Sequence, residues 1–120
     1  MYSVTRRVEI SSAHFIKGHG KCGKVHGHNF IIEVTVRSKH LNTENMVMDY
    51  NALKKKLEKI VGPIDHGFLN EIFGEMYVTS EFLARYIFEH LADEIQEPEV
   101  RLQKVRVYET ENNWAEYYEV

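Results

Sequence analysis

Three histidines have the residue type and the spacing that a metal site requires. His26 and His28 are two residues apart at the start of an alternating apolar run, so on a strand their side chains point to the same side. His14 has the parity of the apolar residues in the preceding alternating run, and antiparallel pairing of the two runs would bring it to the other two. Three neutral imidazoles suit zinc and leave a fourth position for water or substrate. The alternatives are separate core or surface histidines, or nickel, iron or cobalt on the same donors.

The single cysteine, Cys22, lies four residues before His26 in a loop rich in glycine and lysine. Lys21 and Lys24, together with a nearby dication, would favour its thiolate form. A thiolate can accept a proton, attack an electrophile or bind zinc. Two alternatives stay open: Cys22 is a small buried apolar residue, or it is a fourth zinc ligand that closes the metal site.

The dipeptide Asp65-His66 follows Gly62-Pro63 in a segment between two predicted helices. A carboxylate beside an imidazole can orient the ring and raise its basicity, which makes a proton shuttle near neutral pH. The more common role of an aspartate at such a place is to accept hydrogen bonds from the next amides of the chain, here those of Gly67 or Phe68.

Glu109 falls on the apolar parity of a predicted strand, together with Val105 and Val107. A buried carboxylate needs partners or a ligand. Its two oxygens would match two adjacent N–H donors on the edge of a guanidine-like heterocycle. The alternative is a strand end that emerges into solvent.

The elements that must position these residues follow from periodicity. Period-two alternation predicts strands over about 2–15 and 26–37, joined as a hairpin, and two further strands over about 100–110 and 114–119 with Asn112-Asn113 as the turn. The order ββααββ predicts an α+β domain in which two helices cover one face of an antiparallel sheet.

Capping residues and helical spacing predict the two helices. Asp49 caps the first, which ends at Gly62-Pro63, and Thr79 or Ser80 caps the second. The apolar stripe of the second helix consists of four residues spaced by four: Leu83, Ile87, Leu91 and Ile95.

Length and composition exclude several classes of protein. With 120 residues, 15 Lys and Arg against 18 Asp and Glu, and a net charge of −3, we expect one domain over 1–120 and no nucleic-acid partner. A single cysteine excludes an internal disulfide and any zinc module built on two or more cysteines. No apolar leader or run of 18 apolar residues is present, so we expect a cytoplasmic protein with no membrane span.

Six segments, taken together, resemble one family over nearly the whole chain. They are Ser11-Ser12-Ala13-His14-Phe15, Gly20-Lys21-Cys22-Gly23-Lys24-Val25-His26-Gly27-His28-Asn29-Phe30, Met48-Asp49-Tyr50, Asp65-His66, Thr79-Ser80-Glu81 and Tyr108-Glu109-Thr110. The sequence thereby resembles the 6-pyruvoyl-tetrahydropterin synthase family. Three residues between the cysteine and His-Gly-His look like its 6-carboxy-tetrahydropterin synthase branch, which serves queuosine biosynthesis.

The resemblance implies a tunnelling fold (T-fold), in which ββααββ units join through their sheets into a barrel, as trimers or as hexamers of two trimers. It implies a zinc-dependent lyase that converts 7,8-dihydroneopterin triphosphate to 6-carboxy-5,6,7,8-tetrahydropterin with release of acetaldehyde and triphosphate. The alternatives are elimination of triphosphate to 6-pyruvoyl-tetrahydropterin, and a non-catalytic metal- or pterin-binding oligomer.

The resemblance also implies roles for individual residues. Zinc is expected on His14, His26 and His28, with Cys22 as the proton-transferring base and with Asp65 and His66 as its relay. Glu109 is expected to anchor the amino-pyrimidine edge of the pterin, and Thr79, Ser80 and Glu81 to contact substrate. Phe82 departs from the family pattern, in which asparagine often follows the glutamate.

Overall fold

The computed structural model describes residues 1–120, and it contains four strands and three helices. In chain order the elements are β1 (Tyr2–His14), β2 (His26–Ser38), α1 (Tyr50–Val61), α2 (Leu69–Phe73), α3 (Ser80–Ala92), β3 (Arg101–Thr110) and β4 (Asn113–Tyr118). The strands form one antiparallel sheet in the order β1-β2-β3-β4. The predicted α+β class and the predicted antiparallel sheet are confirmed.

The β1–β2 hairpin is the longest feature of the sheet. Its register runs from Tyr2 opposite Ser38 at one end to His14 opposite His26 at the other. The predicted hairpin therefore stays paired as far as the histidines, and both histidine-bearing strand ends lie at the same end of the sheet.

The core lies between one face of the sheet and the helices. The even-numbered apolar residues of β2, from Phe30 to Val36, are at most 1% exposed, and α1 packs against β1 while α3 packs against β3 and β4. Burial of each such side chain contributes about 1.5–3 kcal/mol. Helix boundaries follow from the caps, because the side chain of Asp49 accepts from the amides of Asn51 and Ala52, and that of Thr79 from Phe82.

Three details differ from the sequence predictions. A short third helix, α2, precedes α3, so the order of elements is ββαααββ. The last helix ends at Ala92, because the amides of Glu94 and Ile95 bond to carbonyls three residues back and tighten the final turn. Ile95 therefore packs from outside the helix. Asn113 begins β4 opposite Thr110, which leaves Glu111 and Asn112 as the turn.

The other face of the sheet carries no helix and is polar. Arg7 of β1 binds Glu33 of β2, with Nη2 2.7 Å from Oε2, and Arg106 of β3 binds Glu116 of β4, with Nη2 2.6 Å from Oε1. In an antiparallel sheet with one solvated face, apolar residues on the core side alternate with polar residues on the solvent side, as they do here. No helix of the chain is both long and apolar enough to cross a membrane.

Candidate metal centre

The hairpin register brings three imidazoles together at one end of the sheet. His14 lies opposite His26, and His28 lies opposite Ser12 on the same row of side chains. The ring centroids of His14 and His26 are 4.6 Å apart, those of His26 and His28 4.7 Å, and those of His14 and His28 5.1 Å. Their ligand atoms and a carboxylate oxygen of Glu109 all lie within 4.8 Å of one another.

Backbone carbonyls hold two of the rings in the form that a metal binds. Nδ1 of His14 is 2.7 Å from the carbonyl oxygen of Val78, and Nδ1 of His26 is 2.6 Å from that of Lys24. Because a carbonyl only accepts, each Nδ1 carries the proton and each Nε2 keeps its lone pair free. Nε2 of His14 and Nε2 of His28 are buried without a hydrogen-bond partner. Orphaned nitrogens aimed at one point fit a divalent metal ion, so this group could bind one.

The pKa of His14 supports the same state. Burial lowers this pKa below the usual histidine value, while the hydrogen bond to Val78 and the carboxylate of Glu109 act in the opposite direction. His26 and His28 lower the pKa further by like-charge repulsion. The imidazole of His14, which is 0% exposed, is therefore held neutral, and the neutral form is the one that binds a metal.

Glu109 lies beside the histidines and is half-buried. It follows Tyr108, which pairs with Ile31 of β2, so its side chain shares the row of Phe30 and His28. Its Oε1 lies 3.0 Å from Nε2 of His28, although this contact lacks the angle of a hydrogen bond. The sequence placed Glu109 on the buried parity, but it carried no sign of this closeness to the histidines.

The start of α3 lies beside Glu109. Ser80 is 6% exposed, and its hydroxyl is 3.4 Å from Oε2 of Glu109. Glu81 and Glu109 line an open cavity of about 390 Å³ together with Trp114. Thr79 instead uses its hydroxyl to cap the helix. The structure thus brings Ser80 and Glu81 to the side of the site where Glu109 lies and gives Thr79 a structural contact.

Asp65 and His66 dock on the edge of β1. Oδ1 of Asp65 accepts from the amide of Ser11 at 2.9 Å and lies 2.9 Å from Nδ1 of His66, so it does not cap Gly67 or Phe68. His66 has a φ of 57°, and its side chain is 81% exposed. Its ring lines a cavity of about 390 Å³ that His28 also lines.

Cys22 is half-buried in a short 3-10 turn, Gly20–Gly23, between the two strands. Its amide donates to the carbonyl of His19 at 2.9 Å. Its sulfur is outside the group of donor atoms formed by the three histidines and Glu109. The structure therefore does not bring Cys22 into this group of donor atoms, and no hydrogen bond connects it with Asp65 or His66.

One residue that holds the site was missed by the sequence reasoning. Asn70 of α2 is 6% exposed, and its amide nitrogen donates to the carbonyls of Phe15 at 2.9 Å and Glu75 at 2.8 Å. Its Oδ1 accepts from the amide of Phe15 at 2.8 Å. Asn70 thus clamps the residue that follows His14. No motif or spacing marks this asparagine.

The fold and the site define a small α+β domain with a candidate metal centre of three histidines at one end of its sheet. Residues 3–120 match the family described as 6-pyruvoyl tetrahydropterin synthase, and the chain belongs to that family.

Relatives carry two names. A protein of Archaeoglobus fulgidus named "Putative 6-carboxy-5,6,7,8-tetrahydropterin synthase" is 44% identical over 107 residues, which cover 89% of this chain and 87% of that protein. The 6-carboxy-5,6,7,8-tetrahydropterin synthase of Synechocystis is 36% identical, with 98% of this chain and 94% of that protein covered. The human 6-pyruvoyl tetrahydrobiopterin synthase is 35% identical, with coverage of 95% and 89%.

Among solved structures, the 6-pyruvoyl tetrahydropterin synthase of Caenorhabditis elegans superposes with a TM-score of 0.87 at 30% sequence identity. The match covers 99% of this chain and 96% of that one. The fold predicted from the family resemblance is therefore confirmed for the single chain.

Proposed function

We propose that this chain is a zinc-dependent lyase that converts 7,8-dihydroneopterin triphosphate and water to 6-carboxy-5,6,7,8-tetrahydropterin, acetaldehyde and triphosphate. The observation that carries the proposal is the convergence of three imidazoles whose ligand atoms lie within 4.8 Å of one another, two of which, Nε2 of His14 and Nε2 of His28, are buried and without a partner. The names of the relatives from Archaeoglobus fulgidus and Synechocystis support the 6-carboxy product.

His14, His26 and His28 would hold the zinc, and the carbonyls of Val78 and Lys24 keep two of the rings oriented for it. Zinc bound there supplies Lewis acidity toward a hydroxyl or carbonyl oxygen of the substrate side chain. Three protein ligands from histidine leave a position for that oxygen.

Glu109 would orient the pterin. Its carboxylate offers two acceptor oxygens, and a pair of adjacent N–H donors on the pterin ring can bind to both. Ser80 restrains one oxygen from the α3 side. The open cavity beside Glu81 and Trp114 gives a flat ring room to reach this carboxylate.

Proton transfer would be carried out by Cys22, Asp65 and His66. The contact of Asp65 with Nδ1 of His66 leaves Nε2 of the exposed ring to hold or release a proton. Cys22 lies in the loop that joins the two histidine-bearing strands, which suits a base that works near the metal. We assign Cys22 as the base and the Asp65–His66 pair as its relay.

Self-association into trimers or hexamers is part of the proposal. The sheet ends at β1 on one side and at β4 on the other, and β1 is covered by the 65–68 segment only near Ser11 and Ala13. The uncovered part of β1 and the six residues of β4 are open edges, which pair readily with another strand.

The purified protein, loaded with zinc and incubated with 7,8-dihydroneopterin triphosphate, tests the activity. Mass spectrometry of the pterin and an enzymatic assay of acetaldehyde should show 6-carboxy-tetrahydropterin and acetaldehyde in equal amounts. A pyruvoyl product without acetaldehyde would instead establish the 6-pyruvoyl reaction, and binding of the pterin without turnover would leave a non-catalytic protein.

Two variants test the residue roles in the same assay. His26→Ala should lose bound zinc and turnover, whereas His40→Ala, an exposed histidine, should keep both. Cys22→Ala should keep zinc but lose turnover, because zinc does not depend on the thiol. Full activity in Cys22→Ala would remove Cys22 from the role of base.

A further inference from the structure

A further pocket lies at the end of the sheet away from the histidines. Its volume is about 310 Å³, and its lining includes three basic residues, Arg37, Lys39 and Arg101, which we call the basic pocket. Arg37 is eleven residues beyond His26 along β2. At about 3.3 Å for each residue of a strand, the basic pocket is roughly 36 Å from the histidines. It is therefore separate from the site of the proposed lyase reaction.

The register of the sheet places two arginines side by side. Arg37 of β2 pairs directly with Arg101 of β3, and both lie near the end of the shared ladder. Like charges directly opposite each other on neighbouring strands are destabilising. Lys39 adds a third positive charge just beyond the end of β2.

Carboxylates in the vicinity do not neutralise these charges. Arg37 has one weak ion pair, in which its Nη2 is 3.9 Å from an oxygen of Glu119. Lys39 and Arg101 have no carboxylate oxygen within 4.0 Å, although Glu99 also lines the pocket. The whole chain carries more acidic than basic residues, so this local excess of bases does not reflect its composition.

One donor of Arg37, a residue that lines the basic pocket, also lacks an acceptor. Nε of Arg37 is buried and has no hydrogen-bond partner. Buried guanidinium N–H groups almost always have an acceptor, and leaving one without costs stability. Because Nε itself is closed to solvent, an oxyanion in the pocket would bind the part of the Arg37 guanidinium that is exposed, and it would separate the charges of Arg37 and Arg101.

We propose that the basic pocket binds a polyphosphate chain, either as free triphosphate or as the phosphate groups of a nucleoside triphosphate. Guanidinium groups bind phosphate oxygens through two parallel hydrogen bonds, and lysine adds a compact positive charge. Two arginines and one lysine suit a ligand with several adjacent phosphates better than a single carboxylate. The volume accommodates the phosphate chain, and any attached nucleoside would extend into solvent.

Isothermal titration calorimetry of the full chain with sodium tripolyphosphate, and separately with ATP, tests this assignment. We expect saturable binding of at least one of the two, and Arg37→Gln and Arg101→Gln should each weaken it about tenfold. Lys55→Gln, which removes an exposed charge of α1, should bind like the unchanged chain. Arg101 is exposed, so its variant keeps the test available if Arg37→Gln does not fold.

His26→Ala tests whether the basic pocket is independent of the proposed lyase site. This variant disrupts the metal centre and should leave the binding of tripolyphosphate and ATP unchanged. Tripolyphosphate that binds as tightly as ATP identifies the phosphate chain as the ligand, and tighter binding of ATP identifies a nucleotide. Absence of binding, equal binding by Arg101→Gln, or loss of binding in His26→Ala would each overturn the proposal. None of these results depends on whether the lyase activity is found.

Discussion

The two ends of the sheet hold polar side chains in opposite ways. At the metal centre, His14 is 0% exposed. Its ring is held by a hydrogen bond to the backbone carbonyl of Val78, two residues before α3 begins. At the basic pocket, Arg101 is exposed, and Arg37 meets a carboxylate only at 3.9 Å. The metal centre therefore includes a fully buried ring that the backbone holds, whereas the basic pocket includes an exposed charge.

This difference predicts two kinds of ligand. Buried donors that are already oriented lose little entropy on binding and suit a small cation held by short bonds. Exposed charges suit an anion that is attracted at longer range, and salt screens such attraction. Variants and salt should therefore affect the two ends differently.

The largest effect is expected from His14→Ala. We expect zinc content to fall from about one per chain to almost none, because one of three ligands is lost. Zinc at a thousand times its dissociation constant should add about 4 kcal/mol to the free energy of unfolding of the unchanged chain, and almost nothing to that of the variant. Metal analysis and thermal unfolding with and without zinc measure both quantities.

His40→Ala is the matched control for that experiment, since His40 is exposed and its ring has no part in the metal centre. It should keep the full zinc content. A His14→Ala variant that still binds one zinc per chain would show that the buried end does not hold the metal.

Asn70→Ala should have the next largest effect. It leaves both backbone polar groups of Phe15 without their side-chain partner, which should lower the free energy of unfolding by about 2–4 kcal/mol. Because Phe15 follows His14, zinc affinity should also fall about tenfold to a hundredfold. Denaturant unfolding and zinc titration measure the two changes.

Asn51→Ala is the control, because Asn51 is exposed on α1 and its side chain makes no hydrogen bond. Lower stability of Asn70→Ala with unchanged zinc affinity would contradict a role in positioning His14. It would limit Asn70 to a structural clamp.

The sequence predicts much of the metal centre because strict alternation determines which residues share a face. That alternation, with one hairpin, was enough to bring His14 opposite His26. Asn70 could not be predicted, because its partners Phe15 and Glu75 come from segments that only the folded chain brings together. The position of Glu109 beside His28 also depends on how β3 aligns with β2, which no local pattern specifies.

Salt concentration should affect binding at the two ends of the sheet differently, and we expect an effect of moderate size. Raising sodium chloride from about 0.05 M to about 0.5 M should weaken tripolyphosphate binding roughly tenfold, because the exposed charges of the basic pocket are screened. Zinc content should not change over the same range, since short bonds from imidazole nitrogens to a metal do not depend on charge attraction at longer range. Calorimetry and metal analysis at each salt concentration give the comparison, and equal salt dependence at both ends would contradict it.

The smallest expected effect is a gain in stability from Arg101→Gln when no anion is added. Removing one of two like charges that face each other across β2 and β3 should raise the free energy of unfolding by about 0.2–0.5 kcal/mol at low salt. High salt or saturating tripolyphosphate should cancel the gain, because both already neutralise the repulsion. Denaturant unfolding measures this change, with Lys55→Gln as the control for net charge. If Arg101→Gln instead lowers the free energy of unfolding at low salt, the repulsion between Arg37 and Arg101 does not destabilise the sheet. An anion in the basic pocket would then relieve no repulsion.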